Sequence, residues 1–397
     1  MSKDINSSNL NCLGKFDSLV RALFGLSGLG FLVSAVLFFQ DTHYFFFSYL
    51  TSYSFFLTIA LGALFFVLIQ VITRAGWSVV IRRVPEVLTK SIPLLFILVI
   101  PIFFGMHDLF HWTHADAVAH DHILKGKEPY LNTVFFFIRI VFYFVVWAWI
   151  SNKFFKGSVA QDESGDEQIT LDLQKRSTYS LILFALTLTF AAVDLIMSLT
   201  PHWYSTIFGV YTFAGAAVSS LCVMSLVFMF LRKKGFLRDI VTLEHYHDLG
   251  KLIYGFNIFW SYIAFSQFFL IWYGNVPEET IFYALHFEGS WKNVALLLSI
   301  GHFAIPFIFF MSRHAKRNLP FHAMMAVWIL LMHFVDLYWI IMPNISKAGV
   351  DIHLIDFTLF IGFFGLFFGV FFNNLKQNAL IPKKDPRLSE SLNFHNF

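Results

Sequence analysis

MMAVWILLMHFVDLYWIIMP, Met324 to Pro343, is an apolar run long enough to cross a bilayer, yet it carries His333 and Asp336 within it. Ionisable groups at that depth are costly unless partnered or wetted, so each is a functional candidate. Three residues apart, they share one helix face about a turn from each other. The phrase Val335-Asp336-Leu337, with Pro343 seven residues after the aspartate, has a twin in Val193-Asp194-Leu195 with Pro201 at the same offset. At about 1.5 Å per residue, each aspartate lies roughly 10 Å below its proline, well inside a hydrocarbon core about 30 Å thick. Two uses of one costly phrase predict two related halves.

Composition points the same way. Of 397 residues, 57% are hydrophobic, 19% aromatic and 13% charged, and mean hydropathy is +0.66, values of a polytopic membrane protein. In such a protein the 53 phenylalanines pack helices and face acyl chains. The net charge of +3 is spread over separate loops, and nothing supports nucleic-acid binding. Cys12 and Cys222 are too few for a disulfide framework, a haem attachment or an iron–sulfur pattern, so no covalently bound cofactor is expected. The polar start runs into a full-length apolar segment with no small-residue cleavage site, which predicts a retained first helix.

The expected fold is all-α, with ten transmembrane helices near 18–40, 45–72, 91–108, 131–151, 178–200, 205–231, 250–273, 291–312, 319–342 and 354–374. The third is expected to begin as early as Trp77 and to bend at Pro85 or Pro93, where a helix loses a backbone hydrogen bond. Basic residues fall in alternate loops: Lys3, Lys15 and Arg21; Arg74, Arg82, Arg83 and Lys90; Lys153, Lys156, Lys175 and Arg176. They continue with Arg232, Lys233, Lys234 and Arg238, then Arg313, Lys316 and Arg317, then Lys376, Lys383, Lys384 and Arg387, against Lys125, Lys127 and Lys347 on the other side. That bias predicts both termini in the cytoplasm. Asp194 and Asp336 then sit in helices of the same direction, which predicts parallel copies, not an inverted repeat. The expected parts are a tail (1–17), a flanking helix (18–44), a first four-helix bundle (45–200), a second (201–343), a last helix (344–375) and a tail (376–397). The first bundle includes a histidine-rich outer loop, 107–130, and an acidic, mobile cytoplasmic linker, 157–176.

Four constellations could carry chemistry. The midplane set is Arg139, Asp194, His302, His333 and Asp336. Arg139 lies about 12 Å in from the outer end of its helix, near the depth of Asp194, and is the expected charge partner. A buried carboxylate beside a cation keeps its charge, whereas one in apolar surroundings becomes a proton carrier, and histidine can relay a proton either way. The second set, His247 and Asp248 at the inner mouth of the seventh helix, suits proton uptake, though capping is the plainer role. Third, Tyr262 and Gln267 farther along that helix suit a proton wire or a quinone carbonyl. Trp272 and Tyr273 are belt residues, followed by the Glu278-Glu279 pair in an outer loop. Fourth, His107, His111 and His114 align along one helical face, but no cysteine or carboxylate completes a metal site, and partner docking is the better reading.

At this point two stretches resemble a known family: Asp194 to Tyr211, DLIMSLTPHWYSTIFGVY, and Ala264-Phe265-Ser266-Gln267 through Pro277-Glu278-Glu279-Thr280. They look like the ActF-type membrane subunit of bacterial alternative complex III, a quinol:electron-acceptor oxidoreductase. Wider relatives are the NrfD and polysulfide-reductase membrane subunits, built on paired four-helix bundles. The resemblance spans nearly all ten helices. It implies a second NrfD-like subunit, an iron–sulfur subunit and cytochrome c subunits as partners, with a terminal oxidase beyond them, in the bacterial inner membrane. It also implies quinol or menaquinol as the substrate of the assembly, without assigning the quinol pocket to this chain.

The leading expectation is therefore an integral subunit of a respiratory quinol oxidoreductase. It holds no redox centre, and its Asp194, Asp336, His333 and His302, with Arg139 as charge partner, transfer protons. Rival readings are a chain that itself binds quinol, a free-standing secondary transporter, and a passive scaffold.

Overall fold

The computed structural model describes residues 10, 12 and 14–396, and all regular structure among them is helical. Lys3 lies outside them. With no water in a bilayer core, a chain must satisfy its backbone groups within each segment, and helices do so. Nine helices among the described residues are long and apolar enough to cross a membrane. They are α1 (Asp17–Phe38), α2 (Thr42–Ile72), α3 (Gly76–Phe104), α4 (Thr133–Ser164), α5 (Glu167–Leu195), α6 (Phe208–Lys233), α8 (Trp291–Phe309), α9 (Leu319–Ile341) and α10 (Leu354–Leu375). The expected seventh span lies in α7 (Leu243–Gly274), whose 32 residues give ample length. Asn257, Ser261, Ser266 and Gln267 keep it out of the apolar group.

α2 and α6 form the centre: 83% of the apolar stretch of each is buried, against 22% for α8. They approach closely because Gly62 packs directly on the backbone of Ala216, where a side chain would collide. Contacts run α2–α3–α4–α5–α2 in the first half and α6–α7–α8–α9–α6 in the second, with α2 also touching α6 and α9. α1 lies along α10, its Ser27 hydroxyl donating to the Gly362 carbonyl at 2.9 Å. The two chain ends meet at one end of the molecule, where the Leu380 N–H donates to the Leu10 carbonyl at 2.9 Å.

The third span starts at Gly76 and is broken by a 3₁₀ turn at Thr89–Ser91, just before Pro93, while Pro85 sits inside its first helical piece. Arg82 and Arg83, counted above among loop charges, are buried in that piece. Arg82 pairs with Glu86 at 3.1 Å and with Asp385 at 2.5 Å, and Arg83 pairs with Glu86 at 3.1 Å and with Asp162 at 2.7 Å.

Two loops differ from expectation. The 157–176 segment is helix on both sides of Gly165–Asp166: Gly165, with φ of 70°, ends α4, and the Asp166 side chain accepts from the Gln168 N–H to begin α5. Asp162 also accepts from the Lys383 N–H at 2.6 Å, so the acidic stretch clamps the C-terminal segment and is no free linker. The histidine-rich loop is four short pieces interrupted at extended Phe110, His114 and Asp121, so its histidines do not share one helical face. The His107 and His114 rings meet at a tilt of 38°, with centroids 3.8 Å apart. Among the described residues no group of three or more His, Cys, Asp or Glu could hold a metal ion.

Candidate functional site

The repeated phrase lands in two unlike environments. The α-helix α5 ends at Leu195, one residue after Asp194, and a 3₁₀ turn carries the chain on toward Pro201. Asp194 is fully buried. Arg139 grips it with two bonds, Nε to Oδ2 and Nη2 to Oδ1, each 2.9 Å, and Tyr143 donates to Oδ2 at 2.8 Å. The remaining guanidinium nitrogen donates to the Tyr130 carbonyl at 2.8 Å, and the Tyr130 ring lies 3.8 Å from the guanidinium carbon. Forked geometry of this kind is the strong form of a carboxylate–guanidinium pair. The expected partnership of Arg139 and Asp194 is present, and it gives the carboxylate three donors, two of them from one cation.

α9 runs on past Asp336 to Ile341, and Asp336 is equally buried, at 1% exposure. Its donors are neutral: the Tyr211 hydroxyl on Oδ1 and the Trp260 indole N–H on Oδ2, the latter at 3.2 Å. No ion pair to Asp336 exists among the described residues. The α-helical spacing brought His333 to the same helix but not to the same partners. His333 Nε2 is 3.0 Å from the Thr58 hydroxyl on α2, and its ring lies against Gly215, where any Cβ would crowd it.

His302 reaches the site through an aromatic stack. Pro306 has no N–H to give the carbonyl four residues back, which is that of His302, so α8 opens into a π-helical turn over Ser299–Ala304. The Asn257 side chain of α7 donates to the orphaned carbonyl at 2.8 Å. The His302 ring, fully buried, then lies flat on Trp260 with centroids 3.7 Å apart, and neither ring nitrogen has a hydrogen-bond partner among the described residues. No hydrogen bond joins either histidine to Asp336.

No family model and no curated protein matches this chain.

Asp336 borders a cavity of about 770 Å³ walled by α7, α8 and the helix Pro277–His286, a size typical of small-molecule sites. Gln267 lines it, accepting from Ser205 Oγ at 2.9 Å and donating to the Tyr283 hydroxyl at 3.3 Å. Tyr262 lines it too, with 64% of its surface exposed on the outside of α7. His247 and Asp248 sit apart, in the first turns of α7, where Asp248 pairs with Lys251. His247 Nδ1 has no hydrogen-bond partner among the described residues.

Sequence reasoning missed Tyr143, Tyr211 and Trp260, the neutral donors to the two aspartates, because aromatic residues are common throughout this chain. It also missed His286, buried just outside the spans, whose Nδ1 is 2.6 Å from the Phe282 carbonyl and whose Nε2 is 3.1 Å from the Ile340 carbonyl. Burial pushes its imidazole down to about 4. At the opposite, loop-exposed extreme, the His202 hydrogen bond at 2.5 Å, helped by the Leu124 and Ile123 amides, holds Asp121 down to about 2.

Proposed function

We propose that this chain is an integral membrane subunit of a respiratory quinol:electron-acceptor oxidoreductase of the alternative complex III type, and that Asp336 is its proton-transfer group. In this reading the assembly lies in a bacterial inner membrane with both chain ends in the cytoplasm. Quinol gives up two electrons and two protons there, and the electrons pass through iron–sulfur and cytochrome c partners. The support for the family lies in the motifs at 194–211 and 264–280 and in the basic bias of alternate loops. The support for Asp336 is a single observation: it is as deeply buried as Asp194 but has phenol and indole donors in place of a cation. A carboxylate without a counter-charge exchanges its proton at far less cost than one locked in a bidentate ion pair. In this reading His302, stacked on the same Trp260 that donates to Asp336, is the relay, with His333 against α2 as a second imidazole. Arg139 and Asp194 serve as the fixed clamp of the first half.

The test is the purified complex in liposomes, comparing Asp336→Asn with wild type for quinol turnover and for protons moved per electron. The expected result is a loss of at least tenfold in proton-coupled turnover with the complex intact. Full turnover with an unchanged proton ratio would falsify the assignment.

A further inference from the structure

Besides the chamber that Asp336 borders, the molecule holds a second cavity, of about 350 Å³, beyond the end of α5. We propose that this cavity binds the phosphate head group of a phospholipid, in the leaflet remote from the two chain ends. The inference is independent of the proton role given to Asp336.

The polar groups of the cavity donate. Trp203 lines it and is 2% exposed, and its indole N–H has no hydrogen-bond partner among the described residues. An indole can only donate, and a buried donor left unpaired costs about 1–3 kcal/mol. Beside it, Lys127 Nζ gives one of its three protons to the Pro201 carbonyl at 2.5 Å and lies 5.6 Å from the centre of the Tyr204 ring. No acidic residue lines the cavity, and Asp121, whose charge reaches Lys127, is bonded to His202 at 2.5 Å. Burial pushes the Lys127 ammonium below the usual lysine range, and an anion beside it would reverse that shift. A guest that satisfies both residues must accept hydrogen bonds and carry negative charge.

Position and lining narrow the guest further. α5 ends at Leu195 and α4 begins at Thr133, so Lys127 and Trp203 stand just beyond the ends of two spans, where the phosphates of a bilayer lie. Tyr204, 60% exposed, is an aromatic residue of the kind that collects at that level. Leu131, Val193 and Met197 also line the cavity. A free phosphate ion has no use for such apolar side chains, whereas a phosphate carried on glycerol and acyl chains covers them.

The experiment is native mass spectrometry of the full-length chain in detergent, titrated with dimyristoylphosphatidylglycerol, with dimyristoylglycerol, which lacks the phosphate, and with inorganic phosphate. One saturable phosphatidylglycerol adduct is expected, at least tenfold tighter than that of dimyristoylglycerol and not displaced by millimolar inorganic phosphate. Trp203→Phe keeps a ring but removes the N–H, and is expected to weaken the adduct about fivefold, as for one hydrogen bond. Lys127→Gln is expected to weaken it at least tenfold, as for a bond to a charged group, and Lys125→Gln, on the exposed side of the same loop, to leave it unchanged. Lys127 belongs to a loop, so its variant keeps the test open should Trp203→Phe fail to fold. Equal affinity for dimyristoylglycerol overturns the proposal, as does displacement by inorganic phosphate, which would make this a site for a free anion. Equal losses in Lys125→Gln and Lys127→Gln, or no loss in a folded Lys127→Gln chain, overturn it as well.

Discussion

Asp194 and Asp336 share a three-residue phrase and a proline at the same offset, and both are sealed from solvent, yet their surroundings assign them opposite properties. Asp194 meets a guanidinium through two bonds of 2.9 Å and a tyrosine at 2.8 Å. Asp336 meets a tyrosine and a tryptophan and borders open space. A duplicated sequence element thus has no fixed role of its own. The neighbouring helices decide, and here α4 supplies a cation where α8 supplies an imidazole-bearing turn with no bond to the aspartate.

The sharpest way to break this contrast is Arg139→Leu, which strands Asp194 without its partner. The expected cost is about 3–5 kcal/mol, the penalty for leaving one member of a buried pair alone. Denaturation of the detergent-solubilised chain reads it, and adding Asp194→Asn should restore much of the loss. Asp336→Asn breaks no ion pair and keeps one acceptor oxygen for Tyr211 or Trp260, so its cost should stay clearly below that of Arg139→Leu. A stability loss as large as that of Arg139→Leu would erase the distinction between the halves.

A smaller effect separates the two tyrosines. Tyr143→Phe removes one of three donors to a carboxylate that Arg139 still holds, and Tyr211→Phe removes one of two. By the usual value of about 1.5–3 kcal/mol for a hydrogen bond to a charged group, Tyr211→Phe should sit at the upper end and Tyr143→Phe at or below the lower. Equal losses in unfolding experiments would mean that Arg139 contributes little to holding Asp194.

The smallest effect is set by pH and belongs to the second half alone. His286 accepts the Trp339 indole N–H on its carbonyl at 3.2 Å, and Trp339 lines the chamber. Its folded value, about 4, lies below the value near 6.5 of a free histidine, because burial disfavours the charged ring. Its contribution to stability is therefore complete above about pH 6.5 and is lost as pH falls toward 4. The thermal midpoint of wild type should decline across that window more steeply than that of His286→Gln. Parallel curves would place the acid sensitivity elsewhere.

Much of the topology was legible in the sequence because lipid imposes one crude requirement, a long apolar helix, that periodicity and length reveal directly. The break before Pro93 and the ion pair of Arg139 with Asp194 were legible too, the first from proline chemistry and the second from matching depth. The rest needed azimuth as well as depth. His333 and Asp336 are a turn apart, but one faces Thr58 on α2 and the other faces Tyr211 on α6. No spacing rule says which of the neighbouring helices a given face will meet. The acidic stretch 157–176 misled for a related reason: its charges look solvated, while Asp162 is in fact committed to Arg83 and the Lys383 amide.

The absent amide hydrogen of Pro306 has a mechanical result. The carbonyl of His302 is tethered by Asn257, so the backbone that carries this imidazole is tied to α7 as well as to its own helix. A piston-like slide of α7, whose flank also presents Trp260 and Gln267, would pull on that carbonyl and on the ring stacked against Trp260. Whatever fills or empties the space beside that flank therefore has a lever on the histidine without touching it.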